Sequence, residues 1–353
     1  MDFSLTSEQT LLRESASRFL SETDLHGPAL WAAFAELGWL GLAIPETHGG
    51  LGLGPVEVAI LAEELGRHRL AEPFVAETVL AAGLLADAGA RQDLLPGIAD
   101  GSVRLALAHL EPGARACLAH VATTATRAND AWALNGEKTA ALGADSASFF
   151  LVTARTSGSV RDLDGITLFL LPRTFDGLHL ETHAAVDGST IGVLRLADAV
   201  TPDALTLDAY PLLEAAIRRA LAAWSAEAVG AMDALLRATI EYTSTRVQFG
   251  RPTAANQAVR HRLADMAVAL EEARSLALRA TLVLDDRAVT AARVKVGRAA
   301  RFVAEQAVQL HGAMGVTEEL SIGAYLRRLL ALETLFGSPD EHLRRHAALR
   351  SAP

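Results

Sequence analysis

A mainly α-helical chain with a small β domain in its middle is what this sequence predicts, on three observations. Half of the 353 residues are hydrophobic while only 5% are aromatic and 12 are proline, an Ala- and Leu-rich mix that favours closely spaced helices over sheet. The apolar period is helical up to about Asp100 and again from Pro211, but between Val103 and about Ala199 it changes to two-residue alternation. Neither an internal repeat nor a low-complexity linker is found. The expected organisation is an N-terminal helical domain over 1–102, a middle β-barrel-like domain over 103–202 and a C-terminal four-helix bundle over 203–353.

Element by element, Ser7 can cap a first helix, LTSEQTLLRESASRFL, and Leu30, Phe34 and Leu37 recur at helical spacing before the glycine-rich break GWLGLAIPETHGGLGLG. A longer helix is predicted from Pro55 to Gly66, with further helices around Thr78 to Ala88 and Arg91 to Ile98. Strands are expected at 103–108, 131–134, 148–154, 166–171 and 191–196. Asn135-Gly136 is expected to turn a hairpin, because both residues tolerate positive φ, and Gly165 and Gly177 bracket another strand. Helices return at 211–245, 257–285, 288–311 and 320–335, with a tail helix from Pro339. At about 1.5 Å per residue the first of these approaches 50 Å and must pack along much of its length.

Composition also narrows function. The formal charge of −10 opposes general nucleic-acid binding, although Arg218, Arg219 and Arg246 could hold a small anion locally. No apolar run reaches the roughly 18 residues a membrane span needs, and MDFSLTSEQT is acidic where a signal peptide is basic, so a cytoplasmic location without a membrane span is expected. The single cysteine, Cys117, can form neither an internal disulfide nor a thiolate cluster and is expected as a small buried hydrophobe. Gly49-Gly-Leu-Gly-Leu-Gly54 follows a Pro-Glu turn and not a strand, which argues against a dinucleotide loop. His342 and His346 stand at i, i+4 without a third ligand and read as a solvated face, so no metal site is expected.

Two stretches carry a resemblance. Tyr242-Thr-Ser-Thr-Arg246-Val-Gln-Phe249-Gly250-Arg-Pro252 followed by Asn256-Gln257, and Gln306 with Gln309-Leu-His-Gly312-Ala-Met-Gly315-Val-Thr-Glu318, are similar to the signatures of the acyl-CoA dehydrogenase family. ELGWLGLAIPETHGGLGLG resembles that family's N-terminal Glu-Leu-Gly, Pro-Glu and Gly-Gly-Leu-Gly string, so the likeness spans almost the whole chain. The resemblance implies FAD as cofactor and an acyl-CoA thioester as substrate, desaturated between its α and β carbons. It implies that Arg246, Phe249, Gln257, Gln309, Gly312 and Ser338 hold the pyrophosphate and adenine end of FAD across a subunit interface. Such residues suit the task, since a guanidinium fork binds diphosphate oxygens and small residues let backbone amides approach. His311, within the second signature, is expected to pack at the interface.

Where the family places its base, this sequence departs from it. The Glu-Gly-Thr or Glu-Gly-Ser string becomes Leu335-Phe336-Gly337-Ser338, and the other base position, ten residues ahead of Gly230, holds Ala220 beside Leu221. Glu333 and Glu227 could stand as displaced bases but read better as solvated or salt-bridged helix residues. The family's Thr-Glu-Pro and Gly-Ser-Asp become Leu110-Glu111-Pro112 and Gly-Ala-Arg115-Ala116-Cys117, and the aromatic and Thr after the middle-domain turn become Ala140 and Leu142. No catalytic residue is therefore expected in this chain. The pattern resembles the non-catalytic subunit of actinobacterial heterotetrameric α₂β₂ enzymes acting on sterol side chains and related bulky acids. That likeness implies a catalytic acyl-CoA dehydrogenase subunit as partner and an electron-transfer flavoprotein or similar acceptor. An active homomer with a displaced base and a flavin-free scaffold are the competing readings.

Overall fold

The computed structural model describes residues 4–351 apart from Ala71, Asp203 and Glu318. The order of elements is helices, then strands, then long helices, as the change of period requires. Helix α1 (Ser7–Glu22) begins at Thr6 and not at Ser7: the Thr6 hydroxyl accepts the Gln9 amide while the Gln9 side chain returns to the Thr6 amide. This reciprocal box satisfies two otherwise orphan donors, which a cap at Ser7 would not. Next come α2 (Gly27–Glu36), α3 (Pro55–Arg67), a π-helical stretch Val75–Ala81 running into α4 (Ala82–Ala88), and α5 (Leu95–Ala99).

Eight strands form one sheet: β1 (Leu105–Ala108), β2 (Thr124–Ala128), β3 (Ala131–Leu142), β4 (Phe149–Arg155), β5 (Ile166–Pro172), β6 (Leu178–Ala184), β7 (Thr190–Thr201) and β8 (Ala204–Thr206). Their order is β6-β7-β3-β2-β4-β5-β8, with β1 lying parallel beside β4. Strands β4 and β5, FFLVTAR and ITLFLLP, are buried nearly throughout and read as continuous apolar runs, whereas β6 at the edge is largely exposed. Ala106, Leu134, Phe150, Val152, Phe169 and Leu194 are among the residues of the core.

The expected hairpin at Asn135-Gly136 is not formed; β3 runs straight through it. The chain turns instead at Asn129-Asp130, with Asn129 at φ +55° and Ala128 paired to Ala131. Asn135 sits at an irregularity in the β3–β7 ladder, donating to the Asp198 carboxylate and accepting its amide, both at 2.9 Å. Gly136 is needed for space: a Cβ there would stand 2.5 Å from the Thr123 hydroxyl. A second irregularity, between Lys138 and Ala141, places Ala140 at φ +53° and reverses the parity of the strand.

The long helices are α6 (Tyr210–Thr245), α7 (Gln257–Val283), α8 (Asp286–His311) and α9 (Ile322–Thr334), followed by α10 (Pro339–Ser351). A two-strand hairpin of β9 (Val247–Gln248) and β10 (Arg251–Pro252) joins α6 to α7. By contacts the chain divides into two compact units. One gathers the stretch up to Thr23, Pro55–Leu70 and everything from Leu221; the other comprises Asp24–Gly54 and Ala71–Ala220. In the first, α3 and α6 cross at glycines: a Cβ on Gly230 would lie 1.8 Å from the Glu63 carbonyl oxygen, and one on Gly66 would lie 1.9 Å from that of Glu227. Among the described residues no helix is long and apolar enough to cross a membrane.

Candidate functional site

Five of the six residues expected to hold FAD occupy the turns at the ends of α6 and α8 and the start of α7. Helix α6 stops at Thr245, and the Thr253 amide and hydroxyl bond back to Arg246 and Thr243 carbonyls at 2.9 and 3.0 Å, closing the base of the hairpin. Its two central residues, Phe249 and Gly250, stand at φ +53° and +80°, the hand that suits a two-residue turn between twisted strands. Phe249 is 102% exposed, so its phenyl touches essentially none of its own chain. Arg246 is exposed as well and makes no ion pair among the described residues. Asn256 caps α7 through the Ala258 amide, which leaves Gln257, the first helical residue, facing outward. Gln309 is exposed on the last turn of α8, and its carbonyl accepts the amide of Gly312, which ends the helix at φ +61°. His311 is not on this surface. It is buried, stacked on Tyr242 with ring centroids 4.3 Å apart, and bonded to the Ala307 carbonyl. Glu318 lies outside the described residues.

Ser338, the sixth, caps α10. Its hydroxyl donates to the Glu341 carboxylate at 2.9 Å and accepts the Glu341 amide, so among the six it is the side chain already engaged.

The base positions are apolar and filled. Phe336, at φ +52°, stacks on Trp224 with centroids 5.8 Å apart and planes at 22°. Ala220 and Leu221 are buried. Both alternative carboxylates are held by arginines: Glu227, buried, accepts from Arg328 at 2.7 Å, and Glu333, buried, takes a bidentate contact from Arg301 at 3.2 and 2.7 Å. A carboxylate paired in this way has its lone pairs engaged by the guanidinium, which is poor preparation for removing a carbon-bound proton.

The β domain hides a polar cluster that the sequence reading missed. Lys138, fully buried, donates to Glu111 at 2.5 Å, to the Thr153 hydroxyl at 3.2 Å and to the His109 carbonyl at 3.4 Å. Glu111 also accepts the amides of Ala122 and Thr123, clasping the loop between β1 and β2. Burial lowers Lys138 to about 8 despite the opposing Glu111 charge, and burial followed by the Lys138 charge lowers His109 to about 3. Burial pushes the Glu111 carboxyl up, but Lys138 and the donated hydrogen bonds outweigh it and leave it below its ordinary value. A signal was available: Lys138 shares strand parity with buried Leu134, an inward position for a lysine. A second buried acid, Glu77, lies in the π-helical stretch, paired to Arg104 at 2.9 and 2.6 Å and raised to about 6, chiefly by burial.

Two further expectations are corrected. Cys117 is exposed, because its loop buries Ala114, Leu118 and Ala119 instead. His342 is buried rather than solvated, held near 3 by burial and then by the charges of Arg293 and Arg345, while His346 meets the Thr290 hydroxyl at 3.0 Å. Among the described residues no group of three His, Cys, Asp or Glu could hold a metal ion.

A helical start, a β domain and a four-helix bundle are a fold shared with butyryl-CoA dehydrogenase from Megasphaera elsdenii, with a TM-score of 0.92 over 100% of both chains at 23% identity. Family models for the N-terminal, middle and C-terminal domains of acyl-CoA dehydrogenase match residues 6–102, 106–199 and 214–350, and the chain belongs to the acyl-CoA dehydrogenase family. It is 28% identical to benzylmalonyl-CoA dehydrogenase of Aromatoleum aromaticum, with 93% of each protein covered. It is 30% identical to a variant of the Tcur3481-Tcur3483 steroid ACAD, with a TM-score of 0.88 and 98% of each chain covered. The family consists of FAD-dependent oxidoreductases acting on CH-CH donors. Tested against FAD, the residues present fit unequally. The exposed fork of Arg246, the projecting Phe249 and the bare backbone of Gly312 suit a diphosphate and adenine end, but Leu110, Ala116, Ala140 and Leu142 offer the flavin ring neither hydroxyl nor aromatic face.

Proposed function

We propose that this chain is the supporting subunit of an FAD-dependent acyl-CoA dehydrogenase: it lends Arg246, Phe249, Gln257, Gln309, Gly312 and Ser338 to FAD held by a catalytic partner chain and has no base of its own. The observation that carries this reading is the stacking of Phe336 on Trp224 where the family holds its glutamate. Bound FAD supplies the hydride acceptor for α,β-desaturation of an acyl-CoA. This chain's part is to bind and orient. Arg246 presents a charge-assisted fork to diphosphate oxygens, Phe249 offers an apolar face to the adenine end, and Gly312 lets backbone amides come close. The partner supplies the carboxylate that takes the α proton. The names of its relatives, a benzylmalonyl-CoA dehydrogenase and a steroid ACAD, support a CoA thioester of a bulky acid as substrate. An electron-transfer flavoprotein or a similar carrier would reoxidise the flavin.

An active homomer finds no support in the two candidate carboxylates, since Arg328 and Arg301 hold them. The test is to purify the chain alone and together with the partner that a tag on it retrieves. Alone it should be nearly colourless and inactive; the assembly should be yellow and dehydrogenate acyl-CoA. A flavin-saturated, active homomer refutes the proposal, and an assembly devoid of flavin favours a scaffold that kept only the fold.

A further inference from the structure

One face of α8 is devoted to the turn that carries Phe336 and Ser338. Arg293, Gly297 and Arg301 follow one another at i, i+4 and i+8 and lie one above the next along the helix. Arg293, one of the largest fully buried side chains, donates through one terminal nitrogen to the carbonyls of Leu332, Glu333 and Leu335 at 2.5, 3.3 and 3.4 Å. It thereby caps the C-terminal end of α9, where carbonyl groups are otherwise left over. One turn on, a Cβ on Gly297 would lie 2.7 Å from the Pro339 ring and 3.4 Å from the Glu333 side chain, so only glycine lets the turn seat this close. At the third position Arg301 grips the Glu333 carboxylate with both nitrogens. Backbone bonds within the turn are few: the Gly337 amide reaches the Thr334 carbonyl at 3.2 Å. Phe336 and Gly337 both stand at positive φ, +52° and +132°. Such a backbone persists only where its surroundings impose it.

We propose that Arg293, Gly297 and Arg301 are a positioning row, through which α8 fixes the Leu335–Ser338 turn and so sets where Ser338 meets the partner's FAD. The inference deepens the function proposed above and rests on it. None of the three touches the cofactor; each acts through the turn. The row holds backbone carbonyls, a carboxylate and a ring face, and it does so independently of the side chain at 336.

The test has two arms. In the isolated full-length chain, hydrogen exchange of the 334–342 amides is compared in wild type, Arg293→Met, Arg293→Lys and Gly297→Ala. Met keeps the length and apolar stem but removes every donor, so exchange in the turn should accelerate on the order of tenfold or more while the rest of α8 stays protected. Lys, with its point charge, should recover part of that protection. If Arg293→Met does not fold, Gly297→Ala displaces the same turn by steric contact alone and should accelerate the same amides. In the second arm the assembly retrieved through a tag on this chain is stripped of flavin and titrated with FAD. The dissociation constant should rise by about tenfold in Arg293→Met and less in Arg293→Lys, at unchanged subunit ratio. Arg298→Ala, which breaks only the exposed pair with Asp340, is the control and should alter neither arm. Unchanged exchange in the turn, or accelerated exchange with an unchanged FAD dissociation constant, overturns the inference. A wild-type assembly that takes up no FAD refutes the function it rests on instead, and the exchange arm then decides the row by itself.

Discussion

The bundle contains two Phe-Gly turns with nearly the same local backbone and opposite surroundings. Phe249-Gly250 joins β9 to β10 and Phe336-Gly337 joins α9 to α10; the phenylalanines stand at φ +53° and +52°. Holding a bulky residue in that region costs on the order of 1–2 kcal/mol in either place. At 336 the chain compensates internally, by stacking on Trp224 and by the grip of Arg293 on the preceding carbonyls. At 249 it does not, for the phenyl is fully exposed and only the short β9–β10 pairing holds the turn. The pair shows that a dipeptide and its strain do not assign a role. What the rest of the fold brings up to them does, and strain left uncompensated within one chain points outward, to another molecule.

The largest effect expected is one of activity. Phe336→Glu should leave the isolated chain without measurable dye-linked acyl-CoA oxidation, at least about 10⁴-fold below ordinary family members, because the new carboxylate would face Trp224 and because Leu110, Ala116, Ala140 and Leu142 stand where the family has its flavin-binding hydroxyls and aromatic. Activity near the family's level would mean that the closed turn lacks only its base, and the contrast between the two turns would collapse.

Acid stability probes the closed turn next. Burial and the nearby arginines push the folded His342 down to about 3 from the 6.5 it has when unfolded, so between those values the unfolded state binds the extra proton. Its contribution is therefore fully present above pH 6.5 and is lost as pH falls toward 3, on the order of 5 kcal/mol in all. His342→Gln should flatten the acid limb of urea-unfolding free energies measured between pH 4 and 7; a limb of unchanged slope would show that His342 is not buried as described. His109 imposes the same sign from the β domain, so part of the slope should survive.

At the open turn, Arg246→Ala should raise the FAD dissociation constant of the assembly 10- to 150-fold, the equivalent of losing about 1.5–3 kcal/mol of charge-assisted contact. The isolated chain's melting temperature should not move, since Arg246 makes no ion pair among the described residues. Equal FAD affinity in both forms would reduce the surviving signature to a structural relic. The smallest effect is expected from Phe249→Asn. Asn tolerates the left-handed region, so the chain alone should be unchanged or up to about 1 kcal/mol more stable, while FAD is bound less well by the assembly. A clear loss of stability in the isolated chain would show that Phe249 serves its own fold after all.

Much of the element map could be read because helix and strand periods are local. The long helices, β1, β4 and β5 fall close to their expected limits, β3 and β7 run well past theirs, and β2, β6 and β8 escaped: two are short, and β6 at the sheet edge carries its apolar side only at Leu178 and Leu180. Asn135-Gly136 carried the strongest hairpin signal and was overruled by Asp198, 63 residues away, whose carboxylate and amide hold the Asn side chain within a strand. Cys117 and His342 were misplaced for a related reason. Burial of one residue on an irregular loop or a short tail helix depends on what packs over it, and neither position has a period long enough to reveal that.

By itself the sequence determined the class of fold, the family's cofactor signatures and the absence of a glutamate at 336 and 220, all matters of residue identity at a spacing. Only the tertiary structure decided that Lys138, a cation on a strand, is sealed against Glu111, that Glu227 and Glu333 are held by arginines, and that Arg293 serves a turn some 40 residues further on. The physical reason is common to all three. Leaving a buried charge unpaired costs several kcal/mol, so its place is fixed by partners distant in sequence, and no local pattern records which partners those are.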